Sequence, residues 1–374
     1  MPPPAKHKIL FILHFPPPIH GAAIMGKHIK GSSFINTTFD CTYINLSTSK
    51  KLNEKGKGAF KKFWSFFRLY SKIFLTLIKN KYEVCYVTIN SKGAAFFKEM
   101  IVVLLLKSFR CKIVYHYHNK GVSDNQNKNL FNWLYHFQFK NTKAILLSPL
   151  LYFDVSKYLS GNQLYYCANG IPFSNTLVDS TKSGNKNNSR CEILFLSHMM
   201  KEKGIYILLQ ALNILKSKGI NFKATLIGEW ADLNQKDFND FLLTHNLEAN
   251  VFYLGQKYGE EKRLAFESAD IFVLPTLNDC FPLVILESMQ YALPVISTDE
   301  GAIPEIVENG INGFIIPKND AFTLAEKIEY LINNRCERVE MGRRGFGIFN
   351  EKYTLPIFEK NFVQTLKQII NDYQ

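Results

Sequence analysis

The chain has 374 residues, long for one ordinary domain and comfortable for two of roughly 150–200 residues each. Its residues are 47% hydrophobic and 14% aromatic, which excludes a disordered or low-complexity chain. A formal net charge of +13 points to an anionic partner, and composition alone leaves nucleic acid, an acidic membrane surface and a phosphorylated substrate open.

The first apolar run, Lys8–Leu13, ends in His14 and Pro16-Pro17-Pro18, too short and wrongly flanked for a secretory leader. It reads as a buried strand, followed by a loop in which His14 and His20 are loop residues rather than catalysts. A basic stretch follows over residues 50–81. Lys50, Lys51, Lys55, Lys57, Lys61, Lys62, Arg68, Lys72, Lys79 and Lys81 face a single acid, Glu54. Phe60, Phe63, Trp64, Phe67, Tyr70 and Phe74 recur there at helical spacing, and Phe66, Leu69 and Ile73 widen the apolar face. This pattern fits a helix lying on an anionic membrane surface, or a first-domain helix packed on its sheet with a solvated lysine face.

Short apolar runs then recur at Glu83–Ile89, Lys112–His118 and Ala144–Ser148. After Ser174–Arg190, a polar stretch without periodicity that reads as a linker, they resume at Glu192–Ser197, Phe222–Gly228, Val251–Gly255, Ile271–Pro275, Pro294–Thr298 and Gly313–Pro317. Near-continuous apolar strands alternating with helical segments imply two parallel α/β sheets, with a cleft between them lined by strand-to-helix loops. The amphipathic end, Thr354–Gln374, either closes the second domain or crosses back to the first. The most apolar run, Ile101–Leu106, falls far short of the roughly 20 residues a membrane span needs. Seven cysteines, scattered singly, form no zinc-spaced cluster and read as free thiols of a reducing compartment. A soluble or membrane-peripheral cytoplasmic protein is expected.

The most informative stretch is Ile271–Pro317. The strand Ile271–Pro275 leads to Asp279 and Pro282, and proline is tolerated where a helix begins, so a helix over about Pro282–Tyr291 is expected. Its free amides and partial positive charge suit a phosphate. Glu287, within that helix, and Asp279, before it, can hydrogen-bond hydroxyl-rich groups on either side. Asp279 also has an ordinary reading as a helix N-cap, and Glu287 one as a surface acid. Gly301 would allow a close backbone approach.

The segment Asp279-Cys280-Phe281-Pro282-Leu283-Val284-Ile285-Leu286-Glu287 resembles the acid-x7-acid signature of the retaining glycosyltransferases of family 4. The lines Gly301–Val307 and Asn309–Phe314, the Lys203-Gly204 helix start, the loop Phe15–Ala23, the segment Tyr115–Gly121 and Asn169-Gly170-Ile171 extend the likeness over nearly the whole chain. The resemblance implies a GT-B enzyme, that is, two Rossmann-like domains facing across a cleft. It implies a donor nucleotide sugar, UDP- or GDP-linked, as co-substrate with no cofactor; no D-x-D metal motif follows a suitable strand, so no catalytic metal is expected. Glu287 would hold the ribose hydroxyls and Asp279 the hydroxyls of the transferred sugar. Lys203, with the amides near Pro282, Leu283 and Val284, would neutralise the departing diphosphate. His118 would lie near the reacting sugar, and Gly21 would let the first loop approach the phosphates. Three departures stand out: aspartate at 279 where glutamate is usual, His198 where arginine is common, and Ala22 where a second glycine is common. His198 is therefore a ligand contact, a titratable cation, or neither. His116 and His118 are expected on opposite faces of one strand end, one structural and one facing the cleft.

The expected domains are 1–173 for the acceptor side, 174–190 as linker, 191–353 for the donor side and 354–374 as a terminal helix. The acceptor is expected to be a glycan or lipid-linked glycan of a bacterial surface polysaccharide, with no nucleic acid partner. A nucleotide-sugar epimerase of the same fold, a non-catalytic binder of anionic surfaces, and a degenerate transferase that binds donor without turnover remain as alternatives.

Overall fold

A computed structural model of the chain describes residues 6–47, 59–173 and 190–373, with the backbone alone over 59–63. The lysines at 50, 51, 55 and 57 and the linker residues 174–189 lie outside the described residues. The chain divides into two compact units. Unit 1 comprises Met1–Asn169 with Leu355–Gln374, and unit 2 comprises Gly170–Thr354.

Unit 1 contains β1 (Lys8–Leu13), α1 (Gly21–Gly31), α2 (Ser33–Thr38), β2 (Asp40–Asn45), α3 (Ala59–Lys79), β3 (Val84–Thr88), α4 (Gly93–Ser108), β4 (Ile113–Tyr117), α5 (Val122–Asn125), α6 (Asn129–Phe139), β5 (Lys143–Leu146) and β6 (Leu164–Tyr166). Its parallel sheet has the order β2-β1-β3-β4-β5-β6. The central strands β3 and β4 are buried along their whole length, the condition that gives unbroken apolar runs.

Unit 2 contains β7 (Cys191–Leu196), α7 (Ile205–Ser217), β8 (Phe222–Ile227), α8 (Gln235–Thr244), β9 (Val251–Tyr253), α9 (Gly259–Ser268), β10 (Ile271–Leu274), α10 (Leu283–Gln290), β11 (Val295–Thr298), α11 (Ile303–Ile306), β12 (Gly313–Ile316), α12 (Ala321–Asn333) and α13 (Arg335–Lys352). Its parallel sheet runs β12-β11-β10-β7-β8-β9, the doubly wound order in which the chain winds outward in both directions from the first strand.

The last helix, α14 (Leu355–Asn371), belongs to unit 1. Phe362 sits edge-on to Tyr86 of β3 at 5.3 Å and near Phe11 of β1 at 6.4 Å, and the Tyr373 hydroxyl donates to the Ile113 carbonyl at 2.6 Å. Two strands, β2 and β6, were not expected from sequence. The first is a sheet-edge strand containing Asp40, Thr42 and Asn45, and the second is three residues long.

Candidate functional site

In a doubly wound sheet, ligands bind where the winding direction reverses, at the carboxyl ends of the two strands concerned. In unit 2 those strands are β7 and β10, and the loops that follow them are Ser197–Gly204 and Pro275–Pro282. Gly204 stitches the two together. Its φ of 76° is left-handed, and a Cβ there would overlap the Pro275 carbonyl. The Glu202 carbonyl accepts from the Leu277 N–H at 2.7 Å and the Thr276 hydroxyl at 3.1 Å, while its carboxylate accepts from Asn278 Nδ2 at 2.9 Å.

Those bonds deliver Lys203 to the second loop. Its Nζ donates to the Asn278 carbonyl at 3.0 Å and to Asp279 Oδ2 at 2.6 Å, both side chains being about one-fifth exposed. The other Asp279 oxygen accepts from the Cys280 N–H at 3.0 Å, so the carboxylate closes its own loop rather than capping α10. The Asp279 N–H donates to Glu300 Oε1 at 3.2 Å. Glu300, 1% exposed, follows β11 and pairs with Lys318. Gly301 beside it has a φ of 58°, and a Cβ there would overlap the carbonyl oxygens of Asp279 and Cys280.

Pro282 is the N-cap of α10 rather than its first helical residue, because its ψ of 108° is extended; the helix runs Leu283–Gln290, with Tyr291 at the C-cap. No side chain caps this terminus, so its first amides are open to an anion. Leu283, Val284 and Glu287 are half-buried and mark the accessible stripe of a helix otherwise buried. Glu287 pairs with Lys262 Nζ of α9 at 2.6 Å, each about one-quarter exposed. The His198 imidazole, half-buried on the β7 loop, makes no hydrogen bond or ion pair among the described residues. The group is an ammonium held on the loop that leads into an uncapped helix terminus, with the Asp279 carboxylate before that terminus and the Glu287 carboxylate about one turn into the helix. It can take an anion at the centre and hydroxyls at the flanks.

Unit 1 carries its own group at the reversal between β1 and β3. His14, expected as a loop residue, directly follows β1 and is buried. Its Nε2 donates to Glu99 Oε1 at 3.1 Å, and Thr88 Oγ1 lies 3.2 Å from Nδ1. Glu99 is fully buried on α4 and also accepts from the Asn90 N–H at 2.6 Å and Nδ2 at 2.8 Å. Burial alone would raise its pKa, but the His14 bond and charge, Lys98 and the Asn90 amide outweigh that and hold it below the usual carboxylate range. An ionised carboxylate only accepts, so His14 Nε2 carries a proton.

His118 comes immediately after β4. Its ring lies 4.3 Å from that of His116, so the expectation of opposite faces fails; residues two apart on a strand share a face. His116 is fully buried, with Nδ1 2.6 Å from the Tyr86 hydroxyl and Phe362 stacked at 6.4 Å. Burial, then His14 and His20, push the His118 pKa down to about 3, so the ring is neutral. Among the described residues neither His118 nitrogen has a hydrogen-bond partner. An orphaned buried polar group costs about 1–3 kcal/mol, so these nitrogens suit a ligand better than a core. Gly21 is the first residue of α1, capped by His20, and a Cβ there would meet no protein atom within 4 Å.

Lys203, Asp279 and the Pro282–Glu287 segment thus meet within unit 2, while His118 and Gly21 belong to unit 1. Sequence reasoning missed Glu300, Lys318, Lys262 and the Glu99–His14 pair. An acid directly before Gly301 at a strand end was a readable signal for Glu300; the other three carried none.

Residues 179–347 match the family model described as glycosyl transferases group 1. The capsular polysaccharide biosynthesis glycosyltransferase CapM of Staphylococcus aureus is 33% identical over 195 residues, 51% of this chain and 50% of that protein. The chain therefore spans about half the length of that curated relative. Among solved structures, sucrose-phosphate synthase of Thermosynechococcus elongatus superposes with a TM-score of 0.75 at 16% identity, covering 98% of this chain and 100% of the other. Anabaena HepE, solved in complex with UDP-glucose, superposes with a TM-score of 0.73 at 17% identity, covering 96% and 99%. These likenesses establish the GT-B fold.

Proposed function

We propose that this chain, whose residues 179–347 match the model of the group 1 glycosyl transferases, moves a sugar with retention from a nucleotide sugar to a glycan or lipid-linked glycan in bacterial surface polysaccharide synthesis. The observation that carries the reading is the Lys203 ammonium bonded to the loop that opens into the uncapped N-terminus of α10, with Asp279 on that loop and Glu287 within the helix.

In this reading the donor diphosphate takes Lys203 from Asp279 and lies against the amides of Leu283 and Val284, with His198 close by on the neighbouring loop. Fixed positive charge then meets the negative charge that develops on the leaving phosphate, commonly a dominant catalytic effect. Asp279, released, accepts from hydroxyls of the transferred sugar, and Glu287, steadied by Lys262, accepts from the ribose. The acceptor hydroxyl attacks from the face the phosphate leaves: the bond from C1 to phosphate oxygen breaks, the bond from C1 to acceptor oxygen forms, and the acceptor proton passes to the departing phosphate. No side-chain nucleophile is needed. In unit 1, neutral His118 is suited to exchange a hydrogen bond with a sugar hydroxyl, and the space at Gly21 to admit a phosphate. The work is done on the cytoplasmic side of an anionic membrane, which residues 50–81 contact.

A thermal-shift screen against UDP, GDP, ADP and their common sugars tests this, with UDP-linked donors first because HepE was solved with UDP-glucose. One nucleotide family should raise the melting temperature of wild type by mass action and leave Glu287→Ala unshifted. A well-folded sample that responds to no nucleotide would overturn the reading.

A further inference from the structure

Helices α3, α4 and α6 stand side by side on unit 1. Tyr70 of α3 donates to the Lys98 carbonyl of α4 at 3.1 Å, Phe74 of α3 meets Phe109 edge-on at 5.6 Å, and Phe97 of α4 packs on Phe131 of α6 at 5.3 Å. A surface helix normally turns a polar stripe to solvent. The outward stripe of α4, at spacings of three and four, is Ala94, Phe97, Ile101 and Leu104, with Leu104 53% exposed. Ile78 of α3 and Trp133 of α6, 58% and 64% exposed, continue it on either side. The apolar face of α3 that the sequence suggested is in part the inward one: Leu69 and Ile73 are buried, while Trp64, Phe67 and Phe74 are exposed.

Charge on this face has one sign. The three helices hold a single acid, Glu99, buried against His14. Where α4 and α6 end, Lys107, Arg110, Lys112 and Lys140 border a cavity of about 480 Å³ that no acidic residue lines. Lys107 Nζ donates to the Lys140 carbonyl at 2.6 Å and lies over the Phe137 ring. One cation at a helix C-terminus answers the helix dipole; four around a single cavity exceed that need. A second copy of the chain would bring the same cations face to face, so self-association is disfavoured.

We propose that the α3–α4–α6 face docks on an anionic bilayer, with Phe97, Ile101, Leu104 and Trp133 at the acyl boundary and the Lys107–Arg110–Lys112–Lys140 cavity holding a phosphate-bearing lipid headgroup. This rests on the reading of the protein as one that works at a membrane surface, and it moves the centre of contact from residues 50–81 to α4.

The test is co-sedimentation of the full chain with vesicles of phosphatidylcholine alone or mixed with phosphatidylglycerol. Wild type should bind the mixed vesicles and not the neutral ones. Ile101→Gln with Leu104→Gln, and separately Arg110→Ser with Lys140→Ser, should each weaken binding on the order of tenfold, the second also flattening its salt dependence. The thermal shift with nucleotide should persist in both variants. That control reports the fold and keeps failure here distinct from failure of the donor site. Absence of wild-type binding, or unchanged binding in both variants, would overturn the proposal. So would a dimer in wild type that the apolar variant dissolves, or stabilisation by inorganic phosphate without vesicle binding.

Discussion

At the scale of single residues, the decisive feature is that Lys203 and Asp279 neutralise each other at 2.6 Å in the proposed donor site. A partly solvated pair of this kind holds about 1 kcal/mol or less, little enough for a diphosphate to displace. Asp279→Asn removes the competitor, so nucleoside diphosphate should bind up to roughly fivefold tighter by calorimetry while transfer slows, because the sugar loses its carboxylate. Weaker diphosphate binding by that variant would show the pair to be structural. The imidazoles of unit 1 predict a pH effect. His118 and His20 are pushed down to about 3 and about 4, each chiefly by burial, whereas an unfolded chain takes up those protons near 6.5. Between those values the unfolded state binds more protons, so stability is lost as pH falls from about 6.5. Urea midpoints should drop between pH 7 and pH 5, and His118→Gln should flatten the dependence; equal slopes would contradict the buried neutral state.

Among elements, the site depends on loops that are bonded to one another rather than on any one helix. The left-handed Gly204 lets the β7 loop reach the β10 loop. Gly204→Ala should cost about 1–3 kcal/mol in a denaturant melt and lower turnover by misplacing Lys203. A silent substitution would show that the loops tolerate separation. This level also explains what the sequence could disclose. Lys203, Asp279 and Glu287 were legible because each sits in a local run, strand then loop then helix start, whose chemistry can be read in order. Glu99 was not legible, because its partner His14 lies 85 positions away and only the β1–β3 pairing brings them together. Lys262 likewise meets Glu287 only because the fold brings α9 within ion-pair reach of α10. β2 stayed hidden because an edge strand tolerates Asp40 and Asn45, and α10 begins one residue late because Pro282 is extended.

For the whole molecule, the chain's last helix is part of its first unit. Removing residues 355–374 strips Phe362 from beneath Tyr86 and His116 and the Tyr373 hydroxyl from β4. Hydrogen exchange should then quicken in β1, β3 and β4 while β7 and β10 keep their protection. Uniform loss in both units would show that the two fold as one. Among the described residues no helix is long and apolar enough to cross a membrane.

The most direct test of the account is release of nucleoside diphosphate from nucleotide sugars, measured for wild type and Lys203→Ala with and without a polysaccharide acceptor. Wild type should release diphosphate from one donor, faster with acceptor, and Lys203→Ala should be slower on the order of 10²–10³-fold, as for loss of a charge-stabilising donor. Release from no donor, or equal release by the variant, would contradict a transferase centred on Lys203.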